Sequence, residues 1–180
     1  GEETELLAAI PFFAGMDRSK LKLLAFTSER QEFSAGQILF WQGSPGSDAC
    51  VIVKGTVDVN VDTEAGQKTV ANPGRGDLIG ELALLSDAPR TATVQAKTDV
   101  TVLSISKDVF LQLIRENSGV SANLARILAG RLVGTMRTLS GSMSLYDPET
   151  DLPKRDLFVD RVRHMALQEQ RVGRSSALIL

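Results

Sequence analysis

The spacing of apolar positions changes along this chain, and each change predicts a different kind of element. Leu6, Leu7 and Ile10 fall at helical spacing and Pro11 interrupts the run, which predicts a short amphipathic helix over Glu2–Ile10. Asp17 is placed as the N-cap of a second helix that carries Leu21, Leu23, Leu24 and Phe26. From Gln31 the helical spacing gives way to short runs bounded by glycine: EFSAG, QILFWQG, DACVIVKG, TVDVNV and QKTVANPG. Thr56 to Val61 alternates polar and apolar, as a half-buried strand does, and Glu64-Ala65-Gly66-Gln67 supplies a hairpin turn. Short strands at this spacing predict an antiparallel roll or barrel. Strands over Thr91–Gln95 and Asp99–Ile105 close it, and an amphipathic helix over Asp108–Glu116, with Val109, Phe110, Leu113 and Ile114, completes a first domain at residues 1–117.

A second periodicity follows. From Ser121, Ala122, Ala125, Ala129, Leu132, Met136, Leu139, Met143 and Tyr146 recur in heptad phase. A seam sustained over about three heptads predicts a parallel pair of helices between two subunits; packing on the chain's own roll is the alternative. Gly130 and Gly134 permit close approach, although each lowers helix propensity by up to about 1 kcal/mol. The expected class is thus α+β: an antiparallel, jelly-roll-like β-roll with flanking helices, a long dimerisation helix at 118–146, and a truncated α/β segment at 147–180.

Composition narrows the choice of function. With 180 residues, 43% hydrophobic and 23% charged, the chain reads as an ordinary globular protein with room for one full domain and part of another. A net charge of −2 argues against a nucleic-acid surface, and the arginines between Arg155 and Arg174 are interspersed with acids, as on a solvated helix face. A single cysteine, Cys50, excludes an internal disulfide and reads as a core strand residue. The lone histidine, His164, argues against a zinc or haem site, so no metal is expected. No apolar run approaches a membrane span and no signal peptide is visible at the start, so the expected compartment is the cytoplasm.

The candidate chemistry lies in GDLIGELALLSDAPRTATV, Gly76 to Val94. Gly80 permits a tight turn, after which the amides of Glu81, Leu82 and Ala83 open a short helix and point at one spot, a place for an anion. Arg90 supplies a guanidinium fork that matches two phosphate oxygens, and Thr91 offers a hydroxyl. A carboxylate beside a phosphate is repelled, so Glu81 suits a neutral donor such as a ribose 2′-hydroxyl. A plain surface ion pair between Glu81 and Arg90 is the competing reading. The glycine turn, the apolar helix, Pro89 and Thr91 together favour the anion site.

Gly80, Glu81, Leu82, Ala83 and Leu84, followed by Pro89, Arg90, Thr91 and Ala92, resemble the phosphate-binding cassette of the cyclic nucleotide-binding domain family. That family includes bacterial catabolite activators, cyclic-nucleotide-dependent kinases and gated channels. The resemblance implies a β-roll whose glutamate holds the ribose 2′-hydroxyl and whose arginine holds the cyclic phosphate. Those roles pass to Glu81 and Arg90, with Gly80, Leu82, Ala83, Thr91 and Ala92 around the ligand. It also implies that the helical opening, with Phe12, Phe13 and Gly15, packs against the roll, and that Gly36, Gly43, Gly46, Gly55 and Gly74 mark its turns. Cys50 stands where relatives often carry tyrosine. In the activator subfamily the following helix dimerises and lends polar groups to the base, which makes Arg131 and Thr135 the candidates. Thr91 is compatible with either nucleotide, and the expected ligand is cAMP in preference to cGMP.

The tail from Tyr146 resembles the opening of a GGDEF domain, the fold of diguanylate cyclases, through Asp147, Leu152, Pro153, Arg155, Phe158, Arg161 and the strand Ala177 to Leu180. Glu149, Asp151 and Lys154 depart from that frame, and the sequence stops before the signature and its metal carboxylates. The expectation is a non-catalytic fragment of a larger protein: a dimeric sensor that passes nucleotide occupancy to a GGDEF-like output in cis, without nucleic-acid or membrane partners. A diguanylate cyclase whose activity lies beyond Leu180, an activator-type DNA-binding regulator, and a roll that only dimerises are the alternatives. No helix-turn-helix follows the long helix, and the intact Glu81–Arg90 pair argues against a roll without a ligand.

Overall fold

The computed structural model describes residues 2–143. The opening helix α1 spans Glu2–Ala8, shorter than the pattern suggests, because Pro11 starts a separate 3-10 turn, Pro11–Phe13. Helix α2, Arg18–Thr27, starts at Asp17, whose backbone is extended and whose carbonyl accepts the Leu21 amide at 3.0 Å. The Asp17 side chain makes no capping bond, so only the backbone half of the expected cap is present.

The roll is built from β1 (Glu29–Phe33), β2 (Ile38–Phe40), β3 (Asp48–Lys54), β4 (Val57–Thr63), β5 (Gly66–Ala71), β6 (Leu78–Ile79), β7 (Thr93–Ala96) and β8 (Val100–Ser106). They form two four-stranded sheets, ordered β1-β8-β3-β6 and β2-β7-β4-β5, and every pairing is antiparallel. Thr63 and Gly66 pair across Glu64 and Ala65, so the turn between β4 and β5 falls on the expected hairpin. Strand β7 begins at Thr93 rather than Thr91, because the chain just before it pairs with the loop ahead of β3: the Gly43 amide donates to the Arg90 carbonyl and the Arg90 amide to the Ser44 carbonyl, both at 2.8 Å.

Strand alternation divides the core in two. In β3 and β8, Ala49, Val51, Leu103 and Ile105 face the helices and pack with Leu7, Phe12, Phe13, Leu21, Leu24 and Phe110. Phe12 stacks on Phe110 with centroids 5.8 Å apart. The opposite face, with Cys50, Ile52, Val100 and Val102, meets Val57, Ile79, Val94 and Ala96 inside the roll. Cys50 is a buried core residue, as its apolar surroundings in the sequence suggest. Burial of each large side chain here contributes about 1.5–3 kcal/mol.

Helix α3 spans Glu81–Ser86, α4 spans Lys107–Glu116 and α5 spans Ser118–Met143. The sequence pattern puts a boundary near residue 117, whereas the first compact unit extends to Leu128. The reason is a stripe at helical spacing, Val120, Leu124, Ile127 and Leu128, that joins the helix-side core. The second unit begins at Ala129, and in its described part Leu132, Val133 and Met136 are exposed. The GGDEF-like segment at 147–180, His164 and Tyr146 lie outside the described residues. No described helix is long and apolar enough to cross a membrane.

Candidate ligand-binding site

The site is assembled where the two sheets meet the Gly76–Val94 segment. Strand β6 pairs with β3 through Cys50–Ile79 and Val51–Leu78, which delivers the chain to Gly80. Gly80 is left-handed, with φ 82° and ψ −3°. A Cβ on it would stand 2.4 Å from Nη1 of Arg90, so both backbone angle and space require glycine. Helix α3 then turns Ala83 and Leu84 into the core and leaves Leu82 and Leu85 exposed. Asp87, at φ 51°, ends the helix by donating its amide to the Ala83 carbonyl. Gly46 seats the loop before β3 on this helix, since a Cβ there would lie 2.5 Å from that of Ala83.

Arg90 is the centre of the arrangement, and it is only 4% exposed. Its Nη1 donates to the Gly80 carbonyl at 2.9 Å and its Nη2 to Oδ1 of Asp48 at 2.7 Å. The Phe40 ring lies 4.1 Å from the guanidinium carbon, within cation–π range. The Nε of Arg90 is buried and has no hydrogen-bond partner. A buried donor without a partner costs about 1–3 kcal/mol, a debt that an anion accepting from Nε removes.

Asp48 is itself held in place. Its Oδ2 accepts from Oγ of Ser104 at 2.5 Å and from Sγ of Cys50 at 3.4 Å, so β3 and β8 jointly orient the carboxylate that orients Arg90. Burial, and then the neighbouring Asp48 charge, push the Cys50 thiol from 9.0 up to about 12. It therefore stays a neutral donor. Glu81, on the first turn of α3, is 1% exposed. Glu81 and Arg90 are thus both buried rather than on the surface, and Arg90 forms an ion pair with Asp48.

Among the residues singled out from sequence, Gly80, Glu81, Ala83, Arg90 and Ala92 are buried or half-buried, and Leu82 and Thr91 lie exposed at its rim. Arg131 and Thr135 are exposed on α5 within the second unit, where the Thr135 hydroxyl donates to the Arg131 carbonyl at 3.0 Å. Asp48, Ser104 and Phe40 were not foreseen. Asp48 left one trace in the sequence, as an acid heading the apolar run ACVIV. A concavity of about 310 Å³ lined by Arg30, Glu32, Lys54, Asp99 and Thr101 includes none of the cassette residues. Among the described residues no cluster of His, Cys, Asp or Glu is placed to hold a metal ion.

Comparison with known proteins agrees with this geometry. Residues 30–117 match the family described as the cyclic nucleotide-binding domain. A CRP-like cAMP-activated global transcriptional regulator of Mycobacterium tuberculosis is 28% identical over 152 residues, covering 84% of this chain and 66% of the regulator. The catabolite activator protein of Thermus thermophilus superposes with a TM-score of 0.65 at 30% identity, over 72% of this chain and 62% of that one. The regulatory subunit of a cAMP-independent protein kinase A from Trypanosoma brucei does so with a TM-score of 0.62 at 31% identity, over 70% and 47%. The matched region spans 23% to 66% of the length of the first curated relatives. The roll thus has its counterpart in one family, and residues 30–117 of this chain belong to it: the cyclic nucleotide-binding domain family.

Proposed function

We propose that the chain is a cyclic-nucleotide sensor in which Arg90 holds the cyclic phosphate, Glu81 holds the ribose 2′-hydroxyl, and cAMP is preferred to cGMP. The observation that carries the reading is the Arg90 guanidinium: buried, oriented by Asp48 and Gly80, and left with its Nε donor unused. A fixed fork of this kind suits a phosphate better than a mobile surface arginine does, because its orientation is set before the ligand arrives. Gly80 keeps its side free of any Cβ, and Thr91 adds an exposed hydroxyl at the rim. Family membership alone does not choose the ligand, since one relative is named cAMP-activated and another cAMP-independent. The cassette residues of this chain therefore carry the assignment.

Arg131 and Thr135 are the proposed base contacts, and residues 121–146 the proposed dimer seam, supported by the exposure of Ala129, Leu132 and Met136. The output is proposed to be a GGDEF-like domain in cis, on the residues quoted from the tail. Nucleotide biases that output only through its difference in affinity for two arrangements of the helix. The relative in Mycobacterium tuberculosis supports a second reading, a DNA-binding transcriptional regulator. Calorimetric titration of the 180-residue chain with cAMP and with cGMP tests the sensor reading. Saturable binding of one ligand per chain, tighter for cAMP, is expected; no heat with either nucleotide overturns it. Salt-dependent binding of duplex DNA would favour the regulator.

A further inference from the structure

We propose that Asp48 makes this site selective for a singly charged phosphodiester over a doubly charged phosphomonoester. The inference rests on the cyclic-nucleotide reading and adds a determinant outside the cassette. Among the described residues, Asp48 on β3, the Gly80 carbonyl and the Phe40 ring surround the Arg90 guanidinium. Cys50 and Ser104 stand behind Asp48, and Glu81 follows Gly80 in the chain. The charge of Arg90 is already balanced by Asp48 at 2.7 Å, in a pair whose arginine side chain is 3% exposed and whose aspartate side chain is 25% exposed. Ser104 and Cys50 fix the carboxylate, so it does not swing away when a ligand arrives.

A phosphodiester brings one negative charge and finds a guanidinium paired with Asp48 but still able to donate from Nε. A phosphomonoester brings a second charge once its second proton leaves, with a pKa of about 6. That second charge is repelled by Asp48. At an effective dielectric of about 20, such a repulsion between charges several ångströms apart weakens binding roughly tenfold to a hundredfold. The carboxylate therefore filters by ligand charge, separately from any fit to the ring shape of a cyclic phosphate.

The pH dependence separates charge from shape. The 180-residue chain is titrated calorimetrically with cAMP and with 5′-AMP at pH 7.5 and pH 5.5. cAMP keeps one charge at both, whereas 5′-AMP goes from mostly dianion to mostly monoanion. The wild-type preference for cAMP is expected to shrink roughly tenfold at the lower pH. In Asp48→Asn the preference at pH 7.5 falls by a similar factor and its pH dependence flattens. Ser104→Ala loses a bond that orients Asp48 but keeps its charge, so its preference still shrinks at pH 5.5 while that of Asp48→Asn does not, which distinguishes charge from loss of a hydrogen bond. An Asp48→Asn ratio equal to wild type, or a wild-type ratio that ignores pH, overturns the inference while leaving the sensor reading intact. Failure of the wild-type chain to bind cAMP overturns the sensor reading and this inference with it.

Discussion

Gly80→Ala tests whether the cassette turn exists to seat Arg90. Alanine at φ 82° carries the left-handed penalty, about 1–2 kcal/mol. Its Cβ also enters the space 2.4 Å from Nη1 of Arg90, so the guanidinium must move away from the Gly80 carbonyl. Loss of that charge-assisted bond costs a further 1.5–3 kcal/mol or so. Gly15 supplies the control: its φ is 81° and a Cβ there meets nothing within 4 Å, so Gly15→Ala bears the backbone penalty alone. Chemical denaturation and calorimetric titration with cAMP measure both effects. Gly15→Ala should lose about 1–2 kcal/mol of stability and keep its nucleotide affinity. Gly80→Ala should lose more stability and bind roughly ten- to a hundredfold more weakly. Equal stability losses and equal affinities in the two variants would refute the idea that Gly80 is kept bare for Arg90.

Leu132→Arg places a charge in the exposed α5 stripe and should shift the protein towards monomer; an unaltered sedimentation profile would count against the seam. Cys50 should resist iodoacetamide in the native state at pH 8 and react on unfolding, because its thiol is buried and pushed up to about 12. The sign of the linked stability follows: the unfolded thiol ionises near 9.0, so between that pH and about 12 the native state holds more protons and stability falls as pH rises. Stability that is flat across this window would contradict the burial of the thiol beside Asp48.

The cassette could be read from the sequence because its chemistry is local. Gly80, Glu81 and Arg90 stand within one short segment, where the Gly80 turn opens α3 and Glu81 and Arg90 are buried. Asp48 could not be read in the same way, because its contact with Arg90 spans 42 positions of sequence and exists only once β3 is paired with β6 and β8. Ser104 becomes its partner through the Cys50–Ser104 register of two strands far apart in the chain. Helix α5 shows a different limit. A heptad stripe and a roll-facing stripe overlap on it, and Ala122 and Ala125 turn outward while Val120 and Leu124 turn into the core. Periodicity alone showed the helix but not how far the roll claims it.

The most direct test of the account is the affinity of cAMP for the wild-type chain and for Arg90→Ala, measured by calorimetry alongside thermal unfolding. Asp48 still accepts from Ser104 and Cys50 in the variant, so cooperative unfolding should persist. Binding should weaken by about 2–5 kcal/mol, the range for removing one partner of a buried charged pair. A folded Arg90→Ala chain that binds cAMP as tightly as wild type would contradict the assignment of the phosphate to Arg90.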